Sequence, residues 1–433
     1  MQNKQKIATA FLFGLAILAI PLWFISYPET TFRHNLNYWL IGSSQLAGIL
    51  GFILYSFSLI LSTRLRWIEN LFGGLDKVYQ THHTVGKIAF FLILYHPIAL
   101  ALRWIPQDFT KGFLYLLPFH RRLAIDLGSW ALLGFFLLML VTFVIKIPYD
   151  KWKLSHKLTG LVFLLFIAHF FLLDELVSAN LPLAVYLGLF SLLGVISFLY
   201  KSVFFHWIVD EKSYTVEKVN RLNNKVIQVT LSPNNSQIQF IPGQFCFFSY
   251  RDPSISKEAH PFTICSTTSE KSITIIVKAL GDYTNHLYQT LKPGVRALIE
   301  GPYGRFDYKE YNQPQLWIAG GVGIAPFISW ANDLQKRSLP SNFEADLYYC
   351  INSREEAIYI EKFKELENKL PGFSFHLTCA DREGFLSVDE INNVKGREIF
   401  ICGPKEMRQS LLKEFQGQQV PDKNIHFEDF DFI

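Results

Sequence analysis

Six long apolar runs occupy the first half of the chain and constrain its fold more than any other feature. Charged residues are almost absent from these runs, and most runs reach the about 20 residues that a helix needs to cross about 30 Å of hydrocarbon. The sequence therefore predicts a bundle of six transmembrane helices. The runs lie at about residues 7–27, 38–62, 84–104, 123–147, 158–173 and 182–207.

The two parts of the chain differ in charge and in cysteine content. Residues 1–210 carry 16 basic and 9 acidic side chains, whereas the remainder carries 25 basic and 28 acidic ones. Only 18% of all residues are charged, which excludes a disordered or fibrous chain. The absence of any CxxC spacing argues against a disulfide framework, a zinc ribbon, an iron–sulfur cluster and a CxxCH haem attachment. All five cysteines lie in the second part: Cys246, Cys265, Cys350, Cys379 and Cys402.

The basic residues between the runs predict the orientation of the bundle. The loops on one side hold eight of them and those on the other side hold four, so the positive-inside rule places both termini in the cytoplasm. We expect a multi-pass protein of the inner (plasma) membrane. No small-residue cleavage site follows the first run, which is therefore predicted to be a retained helix. The cytoplasmic set is Lys4, Lys6, Arg64, Arg66, Lys77, Lys146, Lys151 and Lys153, and the outer set is Arg33, Lys111, Arg121 and Arg122.

Histidines at membrane depth are the first functional candidates, because an imidazole there must find a partner. The third run contains His82 and His96 in the stretch HHTVGKIAFFLILYHP, and the fifth contains His156 and His169 in HKLTGLVFLLFIAH. An H-x-x-x-G pattern occurs in both. Four histidines on two helices indicate two bis-histidine b-type haems, with these residues as the metal ligands.

The spacing supports this assignment on the third helix more directly than on the fifth. Residues 82 and 96 are separated by about 21 Å of helical rise and lie within about 40° of one face, whereas 156 and 169 lie about 140° apart on an ideal helix. Tilt, a local tightening of the helix or haems approached from different flanks would reconcile the second pair. His83 is an alternative to His82, although the shared H-x-x-x-G pattern favours His82.

The second half reads as a soluble module in two parts. Alternating segments such as YTVEKV and KVIQVTL predict a β-barrel up to about residue 306. From about residue 315, apolar strands alternate with a Gly-rich turn and helices, which is typical of an α/β nucleotide-binding domain. We predict a transmembrane di-haem domain over 1–208, an FAD-binding β-barrel over 209–308 and an NADPH-binding α/β domain over 309–433.

Several motifs in register identify a family. FIPGQF, HPFTICS, KALGDYTNHL, GPYG, AGGVGIAPF, CGP and an aromatic C-terminus follow one another at ordinary spacing. They resemble the ferredoxin-reductase-like flavin and NADPH module. Together with the histidine pattern, the chain resembles the NADPH oxidase and ferric reductase superfamily in its short bacterial form. The resemblance covers about residues 38–433 and implies three kinds of cofactor: FAD, NADPH and two haem b groups.

The resemblance implies specific roles for the residues of these motifs. In the flavin half, Thr263 faces the flavin N5, Phe262 lies against the ring and Gly281 with Thr284 offers donors to a pyrophosphate. In the nucleotide half, Ser353 and Arg354 read the 2′-phosphate, Cys402 lies at the nicotinamide, and Phe430 covers the flavin, with Phe432 as the alternative. The predicted catalytic residues are Cys402, Phe430 and Thr263. The remaining cofactor-binding residues are His260, Pro261, Ser266, Gly320, Gly321, Gly323, Pro326, Gly403 and Pro404.

The sequence leaves the electron acceptor open. The expected series of electron carriers fits the reduction of dioxygen to superoxide, which we favour. It fits the reduction of a ferric or cupric chelate equally. Leu100 stands where animal oxidases carry a further histidine, a departure that weakens the oxygen reading. A third reading, a haem subunit feeding a periplasmic partner protein, is disfavoured by the complete dehydrogenase module. The expected partners are the lipid bilayer and a small-molecule acceptor, with no nucleic acid and no obligatory protein partner.

Overall fold

The computed structural model describes residues 2–26, 36–105, 107–120, 122–145, 147–173, 180–336 and 343–428. The sequence-predicted residues Arg33, Arg121, Lys146, Phe430 and Phe432 lie outside these ranges. The chain forms two compact units. One comprises Lys4–Phe72 and Lys77–Ile208, and the other consists mainly of Val209–Ile433.

The first unit is helical, and six segments within its described residues are long and apolar enough to cross a membrane. The prediction of six spans is confirmed, and the chain is a multi-pass membrane protein. These spans are Lys4–Ile25, Asn37–Leu61, Leu75–Leu102, Leu123–Phe143, Tyr149–Leu172 and Leu181–Phe204. The helices are α1 Gln2–Ile17, α2 Ala19–Ser26, α3 Leu36–Leu61, α4 Arg66–Phe72, α5 Leu75–Leu102, α6 Phe109–Leu114, α7 Leu123–Phe143, α8 Tyr149–Lys157, α9 Thr159–Leu172, α10 Leu181–Leu199 and α11 Phe205–Ile208.

Helix α5 begins nine residues before its apolar run. Asp76 lies in the first turn, where its carboxylate complements the positive end of the helix dipole. Asp76 and Lys77 are both buried. Hydropathy therefore located the middle of this helix but not its polar start, and His82 lies well inside the helix.

The fifth span is broken at Leu158, two residues after His156. The backbone amide of Leu158 donates to the Ser155 carbonyl at 3.0 Å, a bond that is one residue shorter than an α-helical bond. The Thr159 hydroxyl donates to the His156 carbonyl at 2.6 Å. The helix is thus locally tightened, which is one of the three ways in which the 13-residue histidine spacing was expected to be reconciled.

The second unit begins with a six-stranded antiparallel sheet in the order β4-β3-β6-β1-β2-β5. Its core contains Tyr214, Val229, Phe248, Ile275 and Ile299. The predicted all-β architecture of this region is confirmed. The elements are β1 Lys212–Arg221, β2 Val226–Pro233, β3 Phe245–Arg251, β4 His260–Thr263, β5 Ile273–Lys278, α12 Asp282–Thr290 and β6 Arg296–Tyr303.

A five-stranded parallel sheet in the order β11-β10-β7-β8-β9 follows. Trp317 on β7 and Phe327 and Trp330 on the helix that follows it are completely buried. The strand order reverses beside β7, and this is where parallel sheets bind nucleotides. The elements are β7 Gln315–Gly320, α13 Ala325–Leu334, β8 Ala345–Ile351, α14 Ile360–Lys369, β9 Phe373–Cys379, α15 Ala380–Glu383, β10 Glu398–Cys402, α16 Lys405–Gly417 and β11 Ile425–Phe427.

Candidate functional site

The four predicted intramembrane histidines form two pairs. The ring centroids of His82 and His156 lie 6.2 Å apart, and those of His96 and His169 lie 6.4 Å apart. One member of each pair comes from α5 and the other from the broken fifth span. The two pairs are separated by about 21 Å along α5, given 1.5 Å of rise per residue.

In three of these rings the hydrogen bonds are made by Nδ1, which leaves Nε2 available to bind a metal. The Nδ1 atom of His82 lies 2.9 Å from the Ser58 carbonyl oxygen, and that of His96 lies 2.9 Å from the Ser44 carbonyl oxygen. His169 Nδ1 lies 2.6 Å from the Ala124 carbonyl oxygen. A carbonyl accepts only from N–H, so the proton is on Nδ1 and Nε2 presents its lone pair. This is the usual arrangement of a metal-binding histidine.

The distances within the pairs test whether one iron fits between two rings. Two Nε2 atoms bound at about 2 Å to a single metal place the ring centroids about 6 Å apart. The separations of 6.2 and 6.4 Å match this value. The residues present therefore fit two bis-histidine haems.

His156 and His83 depart from this pattern. His156 Nδ1 has no hydrogen-bond partner among the described residues, and its ring stacks on Trp152 at 5.1 Å. His83 is half-buried, and its ring lies 5.8 Å from that of its neighbour His82. Of the two neighbours His82 and His83, His82 is therefore the one whose ring faces that of His156.

Small residues on α3 and α7 make room for the histidines, and no sequence motif indicated them. A Cβ atom added to Gly48 would lie 3.0 Å from His96 Nδ1, and one added to Gly128 of α7 would lie 2.5 Å from His169 Nδ1. Gly160, by contrast, faces the Phe198 ring, so this glycine serves helix packing. The signal that could have found the α3 residues is a stripe of small side chains, which marks close helix packing in membranes. That stripe consists of Ser44, Gly48, Gly51 and Ser58.

The His96–His169 pair lines a cavity of about 1190 Å³. Arg103, Arg122 and Tyr115 line the same cavity. Arg103 Nε is buried without a hydrogen-bond partner among the described residues, and its guanidinium lies 5.4 Å from the Tyr115 ring. The cavity therefore combines the two facing imidazoles with cationic groups.

Aromatic rings fill the interior of the helical unit near the histidines. Phe163 is completely buried and stacks on Phe52 at 5.0 Å, and Tyr55 stacks on Phe135 at 4.7 Å. Phe91 is 65% exposed on the helix surface, as expected for a lipid-facing side chain. These positions agree with a packing role for Phe163 and a lipid-facing one for Phe91.

The predicted flavin residues lie together on β4 and α12. Thr263 is buried at the end of β4, and the His260 ring stacks on Tyr283 at 3.7 Å. Thr284 accepts hydrogen bonds from the Leu280 and Gly281 amides at 3.0 Å each, so its hydroxyl caps α12. The first-turn amides that follow have no acceptor within the helix and remain suited to a phosphate.

Other flavin-motif residues link the barrel to the α/β domain. Ser266 accepts from the Thr274 amide at 3.1 Å, and the Ser329 hydroxyl donates to the Ser266 carbonyl at 2.9 Å. Pro261 pairs with Phe247 on β3, and Phe262 contacts Phe248 with 6.0 Å between ring centroids. Ser266 therefore has a packing role in addition to its predicted binding role.

The Gly-rich turn after β7 is packed against the end of β10. A side chain on Gly320 would lie 2.8 Å from Pro404 and Met407 atoms, and one on Gly403 would lie 2.6 Å from Met407. Gly323 lies against the Cys402 carbonyl. Pro326 occupies the first turn of α13, as its fixed φ favours. These glycines let two strand ends meet at the reversal point of the sheet.

Gly321 is different because an added Cβ would make only an ordinary van der Waals contact and because its φ is +54°. An added Cβ would lie 3.8 Å from Lys278 Nζ, which in turn lies 3.5 Å from Glu356. Lys278 was not predicted as a site residue, although it stands at the start of the KALGDYT motif. Its ammonium group adds positive charge beside the Gly-rich turn.

Cys402 is the last residue of β10 and is 4% exposed. Burial raises the pKa of its thiol, and the Glu428 carboxylate raises it further. Cys402 is therefore a neutral thiol at physiological pH. Glu428 also accepts a hydrogen bond from the Arg305 amide at 3.1 Å, which fixes the chain two residues before Phe430.

Three family models match consecutive parts of the chain. They are a ferric reductase like transmembrane component over residues 47–167, an FAD-binding domain over 211–307 and an oxidoreductase NAD-binding domain over 317–413. The chain thus has the fused architecture of the ferric reductase and NADPH oxidase superfamily, with oxidoreductase domains for FAD and NAD(P)H.

Curated relatives match half of the chain or less. The electron transfer component of a 2-halobenzoate 1,2-dioxygenase from Burkholderia cepacia is 28% identical over 49% of this chain and 66% of its own length. One polypeptide of the Na⁺-translocating NADH-quinone reductase from Neisseria gonorrhoeae is 32% identical over 35% of this chain and 40% of its own length. The chain therefore spans less than two thirds of either relative.

Among solved structures, a flavohemoglobin from Malassezia yamatoensis with bound FAD and haem is 17% identical and has a TM-score of 0.51. The match covers 92% of this chain and 99% of that one. At this identity the likeness concerns the fold alone.

Proposed function

From this fused ferric-reductase and NADPH-oxidase architecture, we propose that the chain transfers electrons from cytosolic NADPH, through FAD and two b-type haems, to an acceptor on the opposite side of the membrane. The acceptor that we favour is dioxygen, which would leave as superoxide. The observation that carries the proposal is the pair of facing imidazoles at each of two levels of one helical bundle.

The chain's own residues would hold each group. His82 with His156, and His96 with His169, would bind the two irons through Nε2. His260, Phe262 and Thr263 would line the flavin site, and the Gly-rich turn at Gly321 would take the dinucleotide phosphates. When bound, FAD would supply the chemistry that accepts one hydride, which carries two electrons, and passes these electrons one at a time to haem iron, whose charge changes by one.

The arrangement supports a fixed direction of transfer. The positive-inside rule orients the His82–His156 pair toward the cytoplasm and the His96–His169 pair toward the outer face. Cys402 stays protonated, so it can pack against a nicotinamide without adding a charge there. The Ser and Ala carbonyls that hold Nδ1 protons keep the imidazole rings in one orientation.

Ferric chelate reduction is a second candidate, and the cavity favours it. Arg103 and Arg122 line the space that His96 and His169 share, and cations there would attract a negatively charged chelate. Dioxygen needs no such charge, although superoxide would also be attracted.

One experiment separates these acceptors. Purified protein in detergent is given NADPH, and cytochrome c reduction is measured with and without superoxide dismutase, beside reduction of ferric citrate under argon. Cytochrome c reduction that the dismutase abolishes supports the oxidase. Anaerobic ferric reduction with no dismutase-sensitive signal supports the chelate reductase. The absence of both activities would contradict the proposal.

A further inference from the structure

One of the four facing histidines is held differently from the other three. His82 and His96 each hydrogen-bond to a carbonyl of α3, and His169 hydrogen-bonds to a carbonyl of α7. Such a bond from Nδ1 fixes the orientation of a metal-binding imidazole. His156 Nδ1 is buried and has no hydrogen-bond partner among the described residues. The orientation of the His156 ring must therefore depend on another contact.

That contact is a stack of the His156 ring on Trp152. The ring centroids lie 5.1 Å apart, and the ring planes are inclined by only 22°. Both residues belong to α8, where a spacing of four residues places side chains on the same face. An offset stack at this distance is a favourable arrangement of two aromatic rings. The flat face of the indole thus limits rotation of the imidazole about its Cβ–Cγ bond.

Two hydroxyl groups fix the backbone that carries this stack. The Ser155 hydroxyl donates to the Trp152 carbonyl at 2.8 Å. The Thr159 hydroxyl donates to the His156 carbonyl at 2.6 Å. The Trp152 amide donates to the Pro148 carbonyl at 2.9 Å, so the tryptophan lies within a regular helical turn. Both rings are therefore attached to a backbone segment whose hydrogen bonds are complete on either side of them.

We propose that Trp152 is the positioning residue of the His82–His156 pair and holds the His156 ring at its steep angle to the His82 ring. That angle is 74°. The His96–His169 pair has nearly the same angle, 70°, and each of its rings is held by a carbonyl. The stack on Trp152 thus substitutes for the hydrogen bond that His156 lacks. The inference rests on the proposed function, because it takes these imidazoles as haem ligands.

The positioning of His156 matters for the direction of electron transfer. An iron bound by two histidines has no free position for dioxygen, whereas an iron that loses one of them can bind it. In the proposed orientation the His82–His156 pair lies toward the cytoplasm. A His156 ring that could turn away would allow dioxygen to take electrons there, before they reach the outer pair. Trp152 therefore keeps electron transfer directed across the membrane.

The test uses purified full-length protein in detergent and measures ring orientation by electron paramagnetic resonance. The spectrum of a low-spin ferric haem depends on the angle between its two imidazole planes, because each plane interacts with a different iron d orbital. Rings near a right angle leave these orbitals nearly equal in energy and give one large g value. We expect two such signals in wild type, since the interplanar angles are 74° and 70°. Signals of nearly parallel rings would overturn the inference.

Variants at residue 152 test the cause of this orientation. Trp152→Leu removes the flat face, and we expect it to change the large g value of one haem of the two. After reduction with dithionite, that haem should also bind carbon monoxide, which reports an open iron position without any use of NADPH. Trp152→Phe keeps a flat ring and should behave as wild type in both measurements. The matched control is Trp130→Leu, at a tryptophan of α7 that is 55% exposed.

The outcomes separate this inference from the proposed function. Wild-type g values without carbon monoxide binding in Trp152→Leu would overturn the role of Trp152, while two low-spin haems would still support the proposed function. Equal changes in Trp152→Phe or in Trp130→Leu would overturn it as well, because the flat ring would then not be the cause. If Trp152→Leu does not fold, Trp152→Met repeats the test with a flexible side chain. Wild-type protein with fewer than two low-spin haems would contradict the proposed function itself.

Discussion

At the scale of single residues, His82 and His83 are adjacent candidates for one role. His82 faces His156 at 6.2 Å and holds its Nδ1 proton on the Ser58 carbonyl, whereas His83 is packed beside His82. We therefore expect His82→Ala to lose one haem and His83→Ala to keep both. Pyridine haemochrome content and low-spin absorption spectra of the purified variants measure this, and the reverse result would move the ligand to His83.

Phe430 is a second single-residue prediction, and it lies outside the described residues. If its ring covers the flavin, Phe430→Ser should tighten nicotinamide binding and reduce the preference for NADPH, because less of the affinity would depend on the 2′-phosphate. Steady-state kinetics with both nucleotides on Phe430→Ser and Phe432→Ser measure it. A changed preference in Phe432→Ser alone would move the role to Phe432.

At the scale of elements, the edge strand β11 is held by a buried pair. His426 Nε2 lies 2.6 Å from a Glu398 carboxyl oxygen, and its ring lies between Tyr311 and Phe400 at 4.5 and 4.9 Å. Burial lowers the pKa of His426 to about 3. The histidine of the unfolded chain has the ordinary pKa of about 6.5. Between these two pKa values the unfolded chain therefore binds a proton that the folded chain does not bind.

This pair predicts acid sensitivity of the nucleotide-binding domain. His426 should weaken the fold progressively as pH falls from about 6.5 toward 3, by up to about 1.4 kcal/mol per pH unit. His426→Gln removes the titrating ring and should flatten that slope. Flavin release on heating the full-length protein, followed by fluorescence at several pH values, measures it. An equal slope in both proteins would contradict the assignment.

The elements also show which features the sequence could predict. Hydrophobic length predicted six spans. The histidine positions predicted the residues of the two facing pairs, and the glycine motif predicted the turn after β7. Local tightening of the fifth helix was one of three expected possibilities, but its position at Leu158 could not be predicted, because it depends on the hydrogen bond from the Thr159 hydroxyl to the His156 carbonyl. Ser44 and Ser58 were missed because their carbonyls act across helices, and the stripe of small residues to which they belong marks close helix packing without indicating these contacts.

At the scale of the whole molecule, the proposed chain of cofactors requires each carrier to be reduced in order. In this proposal His96 and His169 would hold the last carrier before the acceptor, and the cavity that they line is also lined by Arg103 and Arg122. Removing this pair should therefore stop delivery to the acceptor while leaving the earlier steps intact. Flavin and haem absorb at different wavelengths, so reduction of the flavin and of the haems can be followed separately.

His96→Leu tests this order in the full-length protein. Under argon, NADPH should still reduce the flavin and the remaining haem, with about half of the wild-type haem absorbance, whereas acceptor reduction should fall by orders of magnitude, since electron transfer would end within the membrane. His83→Ala, which leaves the facing pairs intact, is the control and should keep both steps. Retained acceptor reduction in His96→Leu would mean that electrons leave from the inner level, and an unreduced remaining haem would contradict the inward placement of the His82–His156 pair.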